Sequence, residues 1–399
     1  MRILLITDAF PPIRTSASVH MLNLAWELSN RGHEVGVITP KPNLNQKFIE
    51  SVENFGTLLT VRSPITKDVG YFRRVIGEFL QPFIMFSAFK SSSVSQFPLD
   101  GIVWYSPSIF FGPLIKRLKA RYRCRSYLVL RDLFPDWALD LGVLKKGLVY
   151  RFLKIIEHNQ YDAADKIGVQ CPANMNLITG GAQIRSKCEV LWTWLGEPIQ
   201  STKKCSIQVA ETRLNGRTIF IYAGNMGVAQ GMDIFIELAS CLLSRKDIGF
   251  IFVGRGSDAE HLQNLAAKKR LDNVMFFDEI DPGEIPLLFA QCHIGLVALD
   301  PRHKTHNIPG KFLSYLKAGL PILARVNPGT DLQNLIEQEK VGVVYSGNKV
   351  NDLRIIAEKL INDKENLKAM SDRGPPLCQR MFSTNNIANQ IISSLSNCR

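Results

Sequence analysis

Apolar positions recur along this chain in short runs, and the stretches between them carry apolar residues at helical spacing. The first run, Ile3–Ile6, reads as a buried strand, and a loop from Asp8 to Ser18 follows it. Met21, Leu24, Ala25 and Leu28 then recur on one helical face, with Gly32 as the expected stop. Val35–Thr39, Gly101–Tyr105, Ser126–Leu130, Lys166–Gln170 and Cys188–Trp192 complete the strands of the first half. The second half repeats the pattern with strands at Thr218–Ala223, Gly249–Gly254, Val274–Asp278, Ile294–Ala298, Pro321–Ala324 and Gly342–Tyr345. Strands that are apolar throughout and alternate with helices imply parallel sheets covered on both faces.

The polar stretch 197–206 has neither period and marks the expected boundary between a first domain, 1–198, and a second, 199–379. The tail 380–399 reads as a terminal helix packing back toward the first domain. The fold class expected is α/β, with two doubly wound, Rossmann-like domains facing a central cleft. In such folds ligands bind at loops that follow the carboxyl ends of strands.

Two of those loops carry chemistry. After Ile219–Ala223 comes a turn with Gly224, Asn225, Gly227 and Gly231, and then an amphipathic helix from Asp233. Glycine lets backbone N–H groups approach an anion closely, and a helix N-terminus favours negative charge. Further on, Lys311 stands at an expected helix start, and the helix ends in the turn Gly319-Leu320-Pro321 before the next strand. A diphosphate fits such a pair of loops.

With 46% apolar and 21% charged residues, the 399-residue chain has the composition of a folded globular protein. No run reaches the roughly 18–20 apolar residues that span a bilayer. The start, Met1 to Asp8, is expected to be a strand and not a secretory leader. Eight cysteines are scattered singly, which suits reduced thiols in a cytoplasmic protein and offers no zinc-site spacing. His303 and His306 lie near one another, in what is expected to be a solvated loop.

The net charge of +12 is uneven: residues 1–190 hold 24 Lys and Arg against 15 Asp and Glu, the remainder 24 against 21. The densest cluster runs from Lys116 to Arg125. The segment Tyr71–Lys90 is aromatic and apolar with basic residues near both ends, interrupted by Pro82. Such a segment suits the surface of an anionic membrane. No nucleic-acid module accompanies the basic residues, so nucleic acid is not an expected partner.

These residues resemble retaining glycosyltransferases of the GT-B fold, family 4, in the branch of O-antigen and capsule clusters that contains the L-fucosamine transferase group. The likeness runs over nearly the whole chain: Phe10-Pro11-Pro12-Ile13, Leu24 to Val35, Arg131-Asp132-Leu133-Phe134-Pro135-Asp136, Tyr222 to Gly227 with Gln230, Val253 to Gly256, and Ile308 to Pro321. The resemblance implies a sugar donor carried on a nucleotide, UDP-linked, and an acceptor on undecaprenyl diphosphate at the inner face of the plasma membrane. It implies that Gly224, Asn225, Gly227 and Lys311 embrace the donor diphosphate, with Gly254 and Arg255 on the same wall. Asp132 or Asp136 is implied near the acceptor hydroxyl, although a carboxylate in a loop turn also explains Asp132. No metal or other cofactor is implied.

The chain departs from the family in three places. Two family glutamates before the Gly-x-Pro turn are replaced by His306 and Ser314, and the loop glycines near the N-terminus by Ser16 and Ala17, which restricts the backbone. The Pro-Ser-Lys of close relatives is Pro309-Gly310-Lys311. A hydroxyl at 314 grips a ribose diol less firmly than a carboxylate. Two alternatives share the architecture: a sugar-nucleotide 2-epimerase, and a subunit that binds nucleotide-sugar with weak or no turnover.

Overall fold

Each of two compact units is built on its own sheet in this computed structural model, which describes residues 1–13, 15–66, 69–96, 98–140, 142–196, 204–300 and 308–396. The first unit comprises Met1–Gly196 with Ser383–Arg399, and the second Glu197–Phe382.

The sheet of the first unit has eight strands: β1 (Arg2–Ile6), β2 (Glu34–Lys41), β3 (Phe48–Glu53), β4 (Gly56–Arg62), β5 (Gly101–Tyr105), β6 (Arg125–Leu130), β7 (Lys166–Val169) and β8 (Cys188–Val190). Their order is β3-β4-β2-β1-β5-β6-β7-β8, parallel except for the β3–β4 pair. Side chains alternate across a strand. Leu4 and Ile6 of β1 therefore enter a core with Met85, Phe89, Leu114 and Tyr161 from three helices, Tyr71–Ser91, Gly112–Tyr122 and Leu148–Ala163. Ile3 and Leu5 enter the opposite core, with Leu24 and Leu28 of helix Ser16–Asn30 and with Ile387 and Ile391 of helix Thr384–Ser396.

The β3–β4 hairpin was not expected. Its edge strand alternates poorly, with Ile49 and Val52 exposed, so the period-2 signal is blurred. Gly56 fixes the hairpin against β2: its φ is +131°, and a Cβ there would stand 2.1 Å from the Val35 carbonyl oxygen. The loop expected to reach Ser18 ends at Thr15, whose side chain accepts from the Ser18 N–H and caps the helix. Ser16 and Ala17 are thus helical. The tail divides differently from the expected 380–399 helix: one helix, Lys364–Phe382, closes the second unit, and Thr384–Ser396 belongs to the first.

The second unit holds a six-stranded parallel sheet: β9 (Thr218–Ala223), β10 (Ile248–Val253), β11 (Val274–Phe277), β12 (Ile294–Ala298), β13 (Ile322–Arg325) and β14 (Gly342–Tyr345). The order is β11-β10-β9-β12-β13-β14. Phe220 and Tyr222 of β9 pack with Phe250 and Phe252 of β10 and with Phe235 and Leu353 from helices Asp233–Cys241 and Val350–Asn362. Near the other face, Tyr315 of helix Gly310–Lys317 is fully buried, and its hydroxyl donates to Ile221 O and accepts from Ala223 N–H. That helix is thereby pinned to the carboxyl end of β9.

Candidate functional site

In the second unit, the strand ends bring two glycine-bearing turns together. Gly224, Gly254 and Gly256 have φ of +135°, +136° and +155°. Gly224 N–H donates to Val253 O at 2.9 Å, Met226 N–H to Arg255 O at 2.8 Å, and Asp258 N–H to Met226 O at 2.9 Å. The turns after β9 and β10 are thus stitched backbone to backbone. A Cβ at Gly256 would lie 2.2 Å from Met226 O, so no larger residue fits there without a shift. Beyond them, the Gln230 side-chain oxygen accepts from Gly227 N–H at 3.0 Å and from Asn225 Nδ2 at 3.3 Å.

Lys311, second residue of helix Gly310–Lys317, reaches this turn. A Cβ on Gly224 would meet its Cε at 3.5 Å and its Nζ at 3.7 Å. The ammonium donates to the Tyr222 hydroxyl and lies 3.8 Å from the centroid of that ring. Burial pulls its pKa down to about 7. A nearly desolvated cation beside close-approach glycines can hold an anion.

The remaining residues expected on this wall are placed less directly. Arg255 is exposed and pairs with Glu279 at 2.9 Å. The Ser314 hydroxyl donates to Gly310 O one turn back, at 3.3 Å. His306, like His303, lies outside the described residues. Asp300, which follows β12, donates its backbone N–H to Ala229 O at 2.9 Å, and a Cβ on Gly231 would lie 3.2 Å from its Cα. Buried Arg325 donates to Leu299 O and to the Asn348 side chain, tying the ends of β12 and β14.

In the first unit, the ends of β1, β5 and β6 gather a polar cluster. Arg131 is buried, donating to Leu191 O at 2.7 Å and Trp192 O at 3.0 Å, with its guanidinium 5.0 Å from the Trp194 ring centroid. His20 Nδ1 lies 3.0 Å from the Tyr105 hydroxyl and Nε2 3.3 Å from Thr193 Oγ1. Burial, then the Arg131 charge, hold His20 neutral with a pKa of about 3. Asp132 is half-buried; burial first, then the Asp8 carboxylate, push its pKa up, and Arg131 opposes them. A carboxylate of raised pKa suits a proton acceptor.

Asp136 is engaged elsewhere. Its carboxylate accepts from the Tyr150 hydroxyl at 2.6 Å and from Lys154 Nζ at 3.0 Å. His20, Tyr105 and Asp8 were not singled out as site residues from the sequence, and Tyr222 entered only as the first residue of a stretch that carries the resemblance, with no role of its own. Their one signal is position: each stands at or just beyond a strand's carboxyl end, or on the helix that follows. Among the described residues no three His, Cys, Asp or Glu side chains converge as metal ligands would.

Residues 206–375 match the family model Glycosyl transferases group 1, so the second unit carries a domain of that kind. A Pseudomonas aeruginosa protein named as a glycosyltransferase is 24% identical over 54% of this chain, an alignment spanning about half (54%) of that relative's length. An Escherichia coli protein named as a colanic acid biosynthesis glycosyl transferase is 24% identical over 84% of this chain and 86% of its own. The Anabaena protein HepE in complex with UDP-glucose superposes with a TM-score of 0.67 at 14% identity, covering 100% of both chains. The fold is that of GT-B glycosyltransferases.

Proposed function

We propose that the protein is a retaining glycosyltransferase that moves a sugar from a UDP-linked donor to a lipid-diphosphate-linked acceptor in O-antigen or capsule assembly. The observation that carries this is the pairing of Lys311 with the stitched Gly224 and Gly254 turns, a cradle shaped for a diphosphate. UDP as the carrier is supported by HepE, whose structure holds UDP-glucose. N-acetyl-L-fucosamine is the sugar suggested by the group that the sequence resembles. Asp132 is proposed to orient the attacking hydroxyl, while Lys311 stabilises the departing diphosphate. Asp136 is the lesser candidate, because Lys154 and Tyr150 already engage it.

An acceptor of that kind sits at an anionic membrane face, and the protein is proposed to work there as a peripheral, cytoplasmic protein. Residues 71–91, 112–125 and 143–155 hold thirteen Lys and Arg against Glu78 alone, a surplus equal to the net charge of the whole chain. Helix Tyr71–Ser91 exposes Phe72, Ile76, Phe79, Leu80 and Phe83, and helix Leu148–Ala163 exposes Leu148, Val149, Phe152 and Ile155. Val75 of the first and Leu153 and Ile156 of the second share one small apolar cluster, so the two stripes neighbour each other. Among the described residues no helix is long and apolar enough to cross a membrane.

A weak or inactive donor-binding subunit is the second reading, favoured by the Ser314 hydroxyl being turned to its own helix backbone. Calorimetric titration with UDP-, GDP- and TDP-sugars, followed by product analysis for a new glycosidic bond, tests both. Binding without transfer supports the subunit, an epimerised nucleotide-sugar supports the 2-epimerase, and no binding sinks the donor assignment.

A further inference from the structure

We infer that Tyr222 is a positioning residue of the phosphate cradle: its hydroxyl holds the Lys311 ammonium at the Gly224 turn and so sets the grip on a nucleoside diphosphate. This rests on the donor-binding role proposed for Lys311. Tyr222 is the fifth residue of the six in β9 and is wholly buried. Strand alternation sends its ring into the core with Phe252, yet the hydroxyl reaches the carboxyl end of the strand. There it donates to Asn225 O at 2.6 Å and accepts from Lys311 Nζ. One side chain therefore ties the cation to the turn whose backbone would face the phosphates.

A phenol does here what a carboxylate could not. A carboxylate would hold the lysine equally well, but it would neutralise the ammonium and repel an incoming diphosphate. Burial pushes the Tyr222 pKa up, so the hydroxyl stays neutral. Its single proton is committed to Asn225 O, and toward Lys311 it can only accept. Among the described residues no carboxylate pairs with Lys311; its ammonium meets the Tyr222 hydroxyl and ring and lies close to the Gly224 turn. The ring face adds attraction for the cation without cancelling its charge. Two of the three ammonium N–H bonds are left for phosphate oxygens.

Tyr222→Phe keeps the ring and removes only the hydroxyl. Affinities for UDP and for uridine, measured by calorimetry on the full chain, are compared for the parent, Tyr222→Phe, Lys311→Ala and the double variant. The expected result is UDP binding about tenfold weaker in Tyr222→Phe, with uridine binding unchanged and no further loss when the change is added to Lys311→Ala. Uridine binding also reports that the variant is folded. Equal losses for UDP and uridine, or a loss that adds to that of Lys311→Ala, make Tyr222 a general packing residue and overturn the inference. So does unchanged UDP affinity in Tyr222→Phe when Lys311→Ala is impaired, which leaves the donor-binding role standing. Unchanged UDP affinity in Lys311→Ala overturns that role itself.

Discussion

Gly254 is seated so closely beneath Gly224 that a Cβ on it would stand 2.1 Å from the Gly224 carbonyl oxygen. Its φ of +136° adds strain for any L side chain. The two turns can approach this way only because Gly254 lacks a side chain; a Cβ on Gly224 would make ordinary contact with Lys311 alone, at 3.5 Å. Gly254→Ala is expected to lower stability by about 1–3 kcal/mol and to weaken UDP binding by pushing the Gly224 turn out of place. Gly310→Ala is the contrast: nothing lies within 4 Å of its Cβ position, and it opens a helix. There a gain of up to about 1 kcal/mol is expected. Urea unfolding of the two variants checks both signs; equal and small effects would show that the turns can separate freely.

Lys311 should make UDP binding depend on pH. Its pKa in the free protein is drawn down to about 7 by burial, so it is only partly charged at neutral pH. A diphosphate favours the ammonium and raises that pKa, so binding takes up a proton. Affinity is expected to fall as pH rises from about 7 to 9, and the fall should vanish in Lys311→Ala. Titrations in buffers of different ionisation enthalpy measure the proton directly. A pH-independent affinity in the parent counts against this placement of the lysine.

Asp132→Asn is expected to cut transfer by about a hundredfold or more while leaving UDP affinity nearly unchanged, the pattern of a group felt in the transition state. Burial and Asp8 raise the Asp132 pKa, so the ionised form appears only at higher pH than for an ordinary carboxylate. Activity should accordingly rise with pH on its acid side, and that limb should disappear in the variant. Parallel UDP titrations and transfer rates decide it; lost UDP binding with folding intact would move Asp132 to the donor site.

For the membrane face, flotation with phosphatidylglycerol vesicles should carry the parent and lose it at high salt, each basic residue near the surface adding about 1 kcal/mol. Leu148→Ser with Phe152→Ser, both exposed, is expected to weaken flotation about tenfold or more without changing the melting temperature. Flotation that ignores lipid charge and salt would remove the electrostatic part of the proposal.

How much of this was legible beforehand follows from where the signals lie. The six strands of the second unit lie within a residue or so of expectation, because each is an unbroken apolar run closed by Gly, Asp or a polar turn. The β3–β4 hairpin escaped because an exposed edge strand does not need to alternate. Lys311 and the glycines stood out as residue types suited to phosphate, but their distance from one another is a tertiary fact. Tyr222 was hidden among apolar neighbours, where a tyrosine reads as core. His20 was hidden for another reason: its partners, Tyr105 and Thr193, come from segments far along the chain.

Helix Thr384–Ser396 has a consequence for how the chain becomes a protein. Ile387, Ala388, Ile391 and Leu395 complete the core on one face of the first sheet. Gly101 is bare because a Cβ there would strike Leu395 at 2.7 Å. Gln390 donates to Glu189 and to Val190 O, and Arg125 donates to Ser394 O. A ribosome therefore delivers residues 1–196 with one face of their sheet covered by helix Ser16–Asn30 but still lacking its second helix. The second unit can close by itself while the nascent chain lengthens, but the first must wait for residues 384–396 to emerge. Translation that stops before residue 384 would then be felt far upstream, as apolar core of the first sheet open to aggregation.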